Sequence, residues 1–244
     1  MIIVTGDIHG DVSRIKDFSE WRGLQKEDII IILGDVGVNY CLDSRDSKKK
    51  QILSHLKPTI FCIHGNHEQR PQLIEGYMRK EWNGGAVWYQ KEYPNLLFAE
   101  DGSVFGMDGH RFLVIGGAYS VDKYYRLEHG YAWWESEQPT DEIKQRVERS
   151  IAENKDIDVV LSHTCPYKYE PREMFLPMVD QDTVDTSTEE WLDTIEESLD
   201  YKTWYCGHWH IDKKIDRIVF LYKSFLEILP GYEIDTDIRG GISM

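Results

Sequence analysis

The stretch Thr59-Ile60-Phe61-Cys62-Ile63-His64-Gly65-Asn66-His67-Glu68 decides how the chain is read. Thr59–Ile63 runs without a charged or amide side chain, and the sequence then turns to glycine, amide, imidazole and carboxylate. A short apolar run bounded by turn residues reads as a strand buried on both faces. The pattern recurs in both directions. Ile2–Thr5 precedes Gly6-Asp7-Ile8-His9-Gly10, and Ile29–Leu33 precedes Gly34-Asp35. Later, Val159–Leu161 precedes Ser162-His163, and Trp204–Cys206 precedes Gly207-His208-Trp209-His210. Helical patterns at Val12–Trp21 and Arg45–Leu56, and a weaker one at Gln69–Arg79, separate the early runs. Strand–helix alternation predicts βαβ units with parallel strands. Ligands bind beyond the carboxyl ends of such strands, which is where the polar clusters fall.

The middle of the chain changes character. Ala86–Gln90, Leu96–Ala99, Ser103–Met107 and Arg111–Ile115 read as short strands of a second, mostly antiparallel sheet, with turns at Asp101-Gly102 and Asp108-Gly109. Arg217–Tyr222 and Phe225–Leu229 are expected to close that second sheet. Asp141–Glu153 and Thr188–Leu199 read as helices, the latter opened by Ser187 with Glu190 three residues on, a capping-box signature. Gly116–Pro139 holds no period and reads as a long loop of the kind that is often functional. No linker or repeat interrupts the chain. The expected architecture is therefore a single α/β (α+β) domain over residues 1–244: two packed mixed β-sheets flanked by helices.

Composition narrows the function. The formal net charge is −15, and the longest basic run is Lys48-Lys49-Lys50, expected on a solvated helix face. Nucleic-acid binders usually carry a basic stripe, so there is no strong nucleic-acid signal. No apolar run approaches the roughly 20 residues that cross a bilayer, so no membrane partner is expected. Four cysteines, at 41, 62, 165 and 206, form no C-x-x-C pair, and the chain opens directly on a strand with no leader pattern. A reducing cytoplasm with buried thiols is the expected setting.

The polar clusters carry the chemistry. In Asp7-x-His9 an i, i+2 spacing along an extended chain turns both side chains the same way. Asp35 follows an aliphatic run, where a charge is costly unless paired, solvated or on a metal; a helix N-cap is the bland alternative. His163 alone is more often a satisfied core or turn residue. Gly207-His208-Trp209-His210 is the most telling, with two imidazoles at i, i+2 after a strand. Five of the nine histidines stand in these clusters: His9, His67, His163, His208 and His210. Mixed Asp/His/Asn sets suit Mn, Fe or Zn better than Ca or Mg. Seven ligands exceed what one catalytic ion with open positions takes, so two ions fit better.

Asp-x-His, Gly-Asp, Gly-Asn-His-Glu, a single His and Gly-His-x-His, in that order from Gly6 to His210, resemble the calcineurin-like metallophosphoesterases. The resemblance implies a four-layer αββα fold and a centre of two divalent metal ions, with Mn favoured and Fe or Zn possible. It implies Asp7, His9 and His210 on the first metal, Asn66, His163 and His208 on the second, and Asp35 bridging both. His67 is similar to the family's non-ligand histidine, which contacts the phosphate or protonates the leaving oxygen; Asp43 and Glu68 are candidates for its carboxylate partner. The implied reaction is attack of a metal-activated hydroxide on a phosphomono- or phosphodiester. Ser/Thr protein phosphatases carry an Arg shortly after the second motif, whereas here Asp35 leads into Val36-Gly37-Val38-Asn39-Tyr40. A small-molecule or nucleotide phosphodiesterase is therefore the favoured reading, before a phosphoprotein phosphatase and a nuclease. A non-catalytic metal-binding scaffold is the alternative of another class, and a mononuclear hydrolase would leave Asn66 and His163 without a role. The segment Gly116–Asp122, with Arg126 and Trp133-Trp134, resembles bacterial and phage members. Arg126 is the candidate phosphate clamp through its planar fork, a surface ion pair being the alternative. Tyr119–Trp134 reads either as an aromatic lid or as an Ω-type loop packed on itself.

Overall fold

The computed structural model describes residues 1–229, so the last fifteen residues of the expected 1–244 domain lie outside the described residues. The chain runs β1 (Ile2–Thr5), α1 (Val12–Arg22), β2 (Ile29–Ile32), α2 (Ser44–Ser54), β3 (Thr59–Cys62), β4 (Met78–Trp82) and β5 (Gly85–Tyr89). It continues through β6 (Leu96–Ala99), β7 (Val104–Met107), β8 (His110–Ile115), α3 (Lys123–Glu128), α4 (Asp141–Glu153) and β9 (Val159–Ser162). The last elements are α5 (Ser187–Ser198), β10 (Thr203–Cys206), β11 (Lys213–Ile215), β12 (Ile218–Phe220) and β13 (Phe225–Ile228). One sheet has seven strands in the order β13-β1-β2-β3-β6-β5-β4, and the other six in the order β11-β12-β10-β9-β8-β7.

Strand parity builds the layers. Ile2 and Val4 point into the interface between the sheets, where they meet Phe105, Phe112, Val114, Val159, Leu161 and Tyr205. Ile3, Ile30 and Ile32 point the other way, onto Val12, Ile15 and Phe18 of α1 and Leu53 of α2. The outer face of the second sheet packs against Ile143, Val147 and Ile151 of α4 and Leu192 and Ile195 of α5. The i, i+4, i+8 stripe on α4 gives that helix one apolar face. Thr140 caps its first turn by accepting from the Ile143 amide at 3.4 Å, and Asp141 and Glu142 complement its dipole. The result is an αββα stack. β1, β2, β3 and β6 run parallel, as do β8, β9, β10 and β12, so the site-bearing strands present their carboxyl ends together.

Several expectations are corrected. Gln69–Arg79 is not a helix: Pro71 opens a single 3₁₀ turn, Pro71–Leu73, and Met78 already belongs to β4. β4 and β5 form a hairpin across Asn83-Gly84, both at positive φ as a two-residue primed turn requires. The middle strands do not form one sheet; β5 and β6 join the first sheet and β7 and β8 the second. β13 pairs antiparallel with β1, so Phe225 closes the first sheet and not the second. Ser187 is inside α5; Thr186 is the residue before it, and its Oγ1 bonds Glu190 Oε1 at 2.9 Å. Lys48-Lys49-Lys50 is not a uniformly solvated face. Lys49 Nζ donates to Gly37 O at 2.8 Å, and buried Lys50 donates to Gln90 Oε1 at 2.8 Å above the Tyr77 ring.

The segment 116–139 is an Ω-like unit with α3 and a 3₁₀ turn inside it, held by one buried ion pair. Arg70 pairs with Asp101, and both are at most 4% exposed. Arg70 Nε donates to Ser136 O at 2.8 Å, and Asp101 Oδ1 accepts from Gly116 N at 2.6 Å, so the pair staples both ends of the segment. Arg70→Met removes one partner and leaves a buried, uncompensated carboxylate. We expect it to lower unfolding free energy by about 3–5 kcal/mol in urea titrations, and a loss below about 1 kcal/mol would refute the staple.

Candidate metal centre

The loops that leave β1, β2, β3, β9 and β10 converge at one sheet edge. Among the described residues, eight that are not glycine stand at positive φ, and four of them lie there: His9, Asp35, His208 and His210. Such conformations cost free energy and persist where surrounding contacts over-determine them. Glycines make the crowding possible. A Cβ on Gly65 would stand 2.1 Å from Asp35 Oδ1, one on Gly207 2.2 Å from Asp7 Oδ1, and one on Gly34 2.1 Å from His163 Nδ1.

The residues fall into two touching groups. In the first, Asp7 Oδ2 lies 3.3 Å from His210 Nε2 and 3.7 Å from His9 Nε2, and the two imidazole nitrogens are 2.9 Å apart. In the second, Asn66 Oδ1 lies 2.7 Å from His163 Nε2 and 3.1 Å from His208 Nδ1. Asp35 stands between them: its Oδ2 is 3.8 Å from His9 Nε2 and 3.7 Å from His163 Nε2, while its Oδ1 accepts from the His67 amide at 2.8 Å. Asp7, His9 and His210 offer ligand atoms within 4.8 Å of one another, as do Asp7, Asp35 and His163. His9, Asp35 and His67 do so too, so distance alone does not separate His67 from the ligands.

Hydrogen bonding tests whether these groups fit a cation. His163 Nδ1 donates to Leu33 O at 2.7 Å, which leaves Nε2 as a bare lone pair facing Asn66 Oδ1 and the Asp35 carboxylate. Asn66 Nδ2 is committed to Ser120 Oγ at 2.8 Å, which turns its carbonyl oxygen inward. Asp7 Oδ1 accepts from His208 N at 2.9 Å, but buried Asp7 Oδ2 has no hydrogen-bond partner among the described residues. Acceptors facing acceptors in a buried site are costly unless a cation lies between them. The donor set therefore fits divalent metal.

The electrostatics agree. Burial acts to raise the Asp7 carboxyl, yet His210, 3.3 Å away, and the other nearby imidazoles outweigh it and hold it below the ordinary carboxylate value. Burial likewise acts against ionised Asp35, and the surrounding imidazoles of His163, His67 and His9 again outweigh it, so it too lies low. Burial pushes His208 down to about 3, which keeps it neutral with a free lone pair. The Asp7 carboxylate beside it raises His210, whose ring stacks on Tyr222 with centroids 4.6 Å apart.

His67 is set apart by its far side. Its Nε2 lies 3.8 Å from Asp122 Oδ1, a buried oxygen without a hydrogen-bond partner among the described residues. Neither expected partner stands there. Asp43 caps α2 through the Arg45 amide at 2.8 Å, and Glu68 is fully buried beneath the Gly65 amide, its carboxyl pushed up to about 8 by burial and the charge of Asp35. Arg126 is not on the cavity surface. It is 2% exposed, its Nη1 is 3.2 Å from Ser120 Oγ and 3.7 Å from Asp122 Oδ1, and its Nη2 bonds Ala132 O. Its fork thus ties together the residues behind Asn66 and His67. Ser120 and Asp122, which contact Asn66 and His67, have no individual role in the sequence reading, although both lie in the segment Gly116–Asp122 that it singled out.

A cavity of about 390 Å³ opens over the centre and is lined by His9, Asp35, Asn66, His67, His208 and His210. Tyr119, Val121 and Asp122 are the parts of the aromatic segment that reach it. Tyr124, Tyr125 and Tyr131 are exposed, and Tyr125 stacks on His129 at 4.1 Å. Most of the aromatic segment therefore lies away from the cavity, and the opposite wall comes from residues 167–189.

Comparison with known proteins agrees with this geometry. The family model described as calcineurin-like phosphoesterase matches residues 1–212. The solved structure of TT1561 from Thermus thermophilus is similar to this chain, with 15% identity, 92% of each chain covered and a TM-score of 0.54. A second solved structure is 14% identical over 92% of this chain and 93% of its own, with a TM-score of 0.52. At such identities the likeness is one of fold. No curated protein matches the chain. Among the described residues no helix is long and apolar enough to cross a membrane.

Proposed function

The chain belongs to the calcineurin-like phosphoesterases and is a metal-dependent phosphoric ester hydrolase, and from that premise we propose a dinuclear centre that cleaves a small-molecule or nucleotide phosphodiester. One observation carries the dinuclear reading: His163 Nε2, Asn66 Oδ1 and Asp35 Oδ2 converge as acceptors beside a second, touching group of Asp7, His9 and His210. Asp7, His9 and His210 would hold one ion, Asn66, His163 and His208 the other, and Asp35 both. Divalent ions held there supply Lewis acidity toward phosphoryl oxygens and lower the pKa of water at neutral pH. Mn is favoured by the mixed oxygen and nitrogen donors, with Fe or Zn also compatible.

The chain's own residues supply the rest. His67 projects into the cavity beside the two groups and is suited to hold a phosphoryl oxygen or to give a proton to the leaving oxygen. Burial holds its imidazole below the ordinary value, and the carboxylates of Asp35 and Asp122 oppose that shift. Asp122 orients and stabilises the charged form; Arg126 and Ser120 fix Asp122 and Asn66 in turn. The apolar-walled cavity of about 390 Å³ and the absence of an Arg after Asp35 favour a small ester over a phosphoprotein. A complete ligand set with His67 disfavours a non-catalytic scaffold. The four cysteines, all free, fit the reading of a reducing cytoplasm.

Stripping the protein with chelator and restoring Mn²⁺ tests this. Hydrolysis of an aryl phosphodiester is expected to be lost and regained with close to two ions bound per chain. Activity that survives stripping, or full activity with one ion, would refute the dinuclear reading; a preference for a phosphopeptide would favour the protein phosphatase.

A further inference from the structure

The wall opposite the metal centre limits what the ester can carry. Between β9 and α5 the chain makes three short 3₁₀ turns, and Met174, Phe175, Leu176, Val179 and Val184 from this segment line the cavity. Phe175 stacks on Trp209 with centroids 5.8 Å apart and planes at 22°, and Trp209 lies edge-on to His208 at 5.4 Å. The apolar surface therefore begins beside the ligand residues and runs away from them. Its size falls within the range of small-molecule sites. Among the described residues lining the cavity there is no Lys or Arg, whereas Glu170, Asp185, Glu189 and Asp122 all line it. Asp185 is held by Gln138 Nε2 at 2.9 Å and Ser187 N at 3.0 Å, so its charge stays in place. Burial, together with the charges of Glu170 and Asp185, already pushes Glu189 up to about 7. Burial also pushes Glu170 up to about 7, so away from the metal centre a second anionic group would meet Asp185 and, above neutral pH, ionised Glu170 and Glu189, with no Lys or Arg.

We propose that the substrate is an ester with one anionic phosphoryl group joined to an uncharged, largely apolar body seated against Phe175, Val179, Val184 and Trp209. This deepens, and rests on, the metal-centre reading above. A polyphosphate, a nucleic-acid strand or an ester with a second acidic group is excluded by the same wall. Apolar contact supplies affinity in proportion to the area removed from water, and the carboxylates select against extra negative charge.

Phosphonates isolate the effect because each has one organic group and is not cleaved. Calorimetric titration of the Mn²⁺-loaded protein is expected to give a Kd for benzylphosphonate about tenfold or more below that for methylphosphonate. A 4-carboxybenzylphosphonate is expected to bind about tenfold or more weaker than the benzyl compound. Val179→Asp should shrink the benzyl-to-methyl ratio toward one, with Mn²⁺ uptake as the check that the centre is intact. Equal binding of benzyl and methyl compounds, or no penalty for the added carboxylate, overturns the proposal while leaving the metal centre standing. Absence of Mn²⁺ uptake together with absence of any phosphonate binding overturns both readings.

Discussion

His67→Ala is expected to lower kcat on an aryl phosphodiester by about 10²–10⁴, the range that a positioned acid–base group contributes, while two metal ions remain bound. The separation follows from geometry. His67 lies among the ligands in space, but its Nε2 faces Asp122 Oδ1 at 3.8 Å, and the second group of ligands is complete without it. Asp122→Asn supplies the control that separates chemistry from packing. It keeps the shape and removes the charge that favours protonated His67, so the imidazole pKa falls. If His67 acts as an acid, the alkaline limb of the kcat profile moves to lower pH. Rescue should also depend on the leaving group. An ester whose leaving oxygen needs no proton should be less sensitive to His67→Ala than an alkyl ester. A kcat within threefold of the parent for both esters, with metal content unchanged, would remove His67 from the reaction.

The centre was legible because its chemistry sits where physics allows few other residues. Asp35 follows an aliphatic run, and His208 and His210 follow Gly207, whose missing Cβ leaves room for Asp7. A buried charge or a strained imidazole at a strand end demands a partner, and the order of such demands along the chain identifies the family. Sheet membership was less legible. Short antiparallel strands such as Ala86–Gln90 and Phe225–Leu229 show what they are but not with what they pair, because either sheet buries the same alternation. The hairpin at Asn83-Gly84 did carry a signal, a strong two-residue turn dipeptide, but the helical reading of Gln69–Arg79 ran up to its first strand.

The wall of the cavity left almost no trace in the sequence. Met174, Phe175, Val179 and Val184 follow neither a helical nor a strand period, since 3₁₀ turns and extended links place them one at a time. The partner of His67 was hidden for a related reason. Asp122 is fifty-five residues further along the chain, and it reaches His67 because the segment that carries it is tied down by Arg70 and Asp101, by Gly117 N on His64 O and by Ser120 on Asn66. A loop's polar residues acquire roles from where its ends are tied, which local spacing does not encode.

Asp35→Asn is expected to act on the metal centre itself, lowering kcat by about 10³ and leaving fewer than two ions per chain. Among the described residues, Asp35 is the carboxylate that stands within 4 Å of imidazoles from both ligand groups, His9 and His163. The space around it has no slack: Gly65 approaches so closely that a Cβ would overlap Asp35 Oδ1. Asn fits that space and can still accept from the His67 amide, so the substitution removes charge with little change of shape. What it cannot do is offer two anionic oxygens, one to each group. Metal binding stabilises a folded protein by an amount that grows with the logarithm of its affinity, so Mn²⁺ should raise Tm less in this variant than in the parent. Asp43→Asn is the matched comparison, since Asp43 caps α2 through Arg45 N and pairs with the exposed Arg45 guanidinium, away from the metal centre. Asn caps a helix about as well as Asp, so this variant should change stability little and leave both the metal content and the Mn²⁺-induced rise in Tm intact. An Asp35→Asn protein that holds two ions and turns over within threefold of the parent would mean that the two groups are bridged by something other than this side chain.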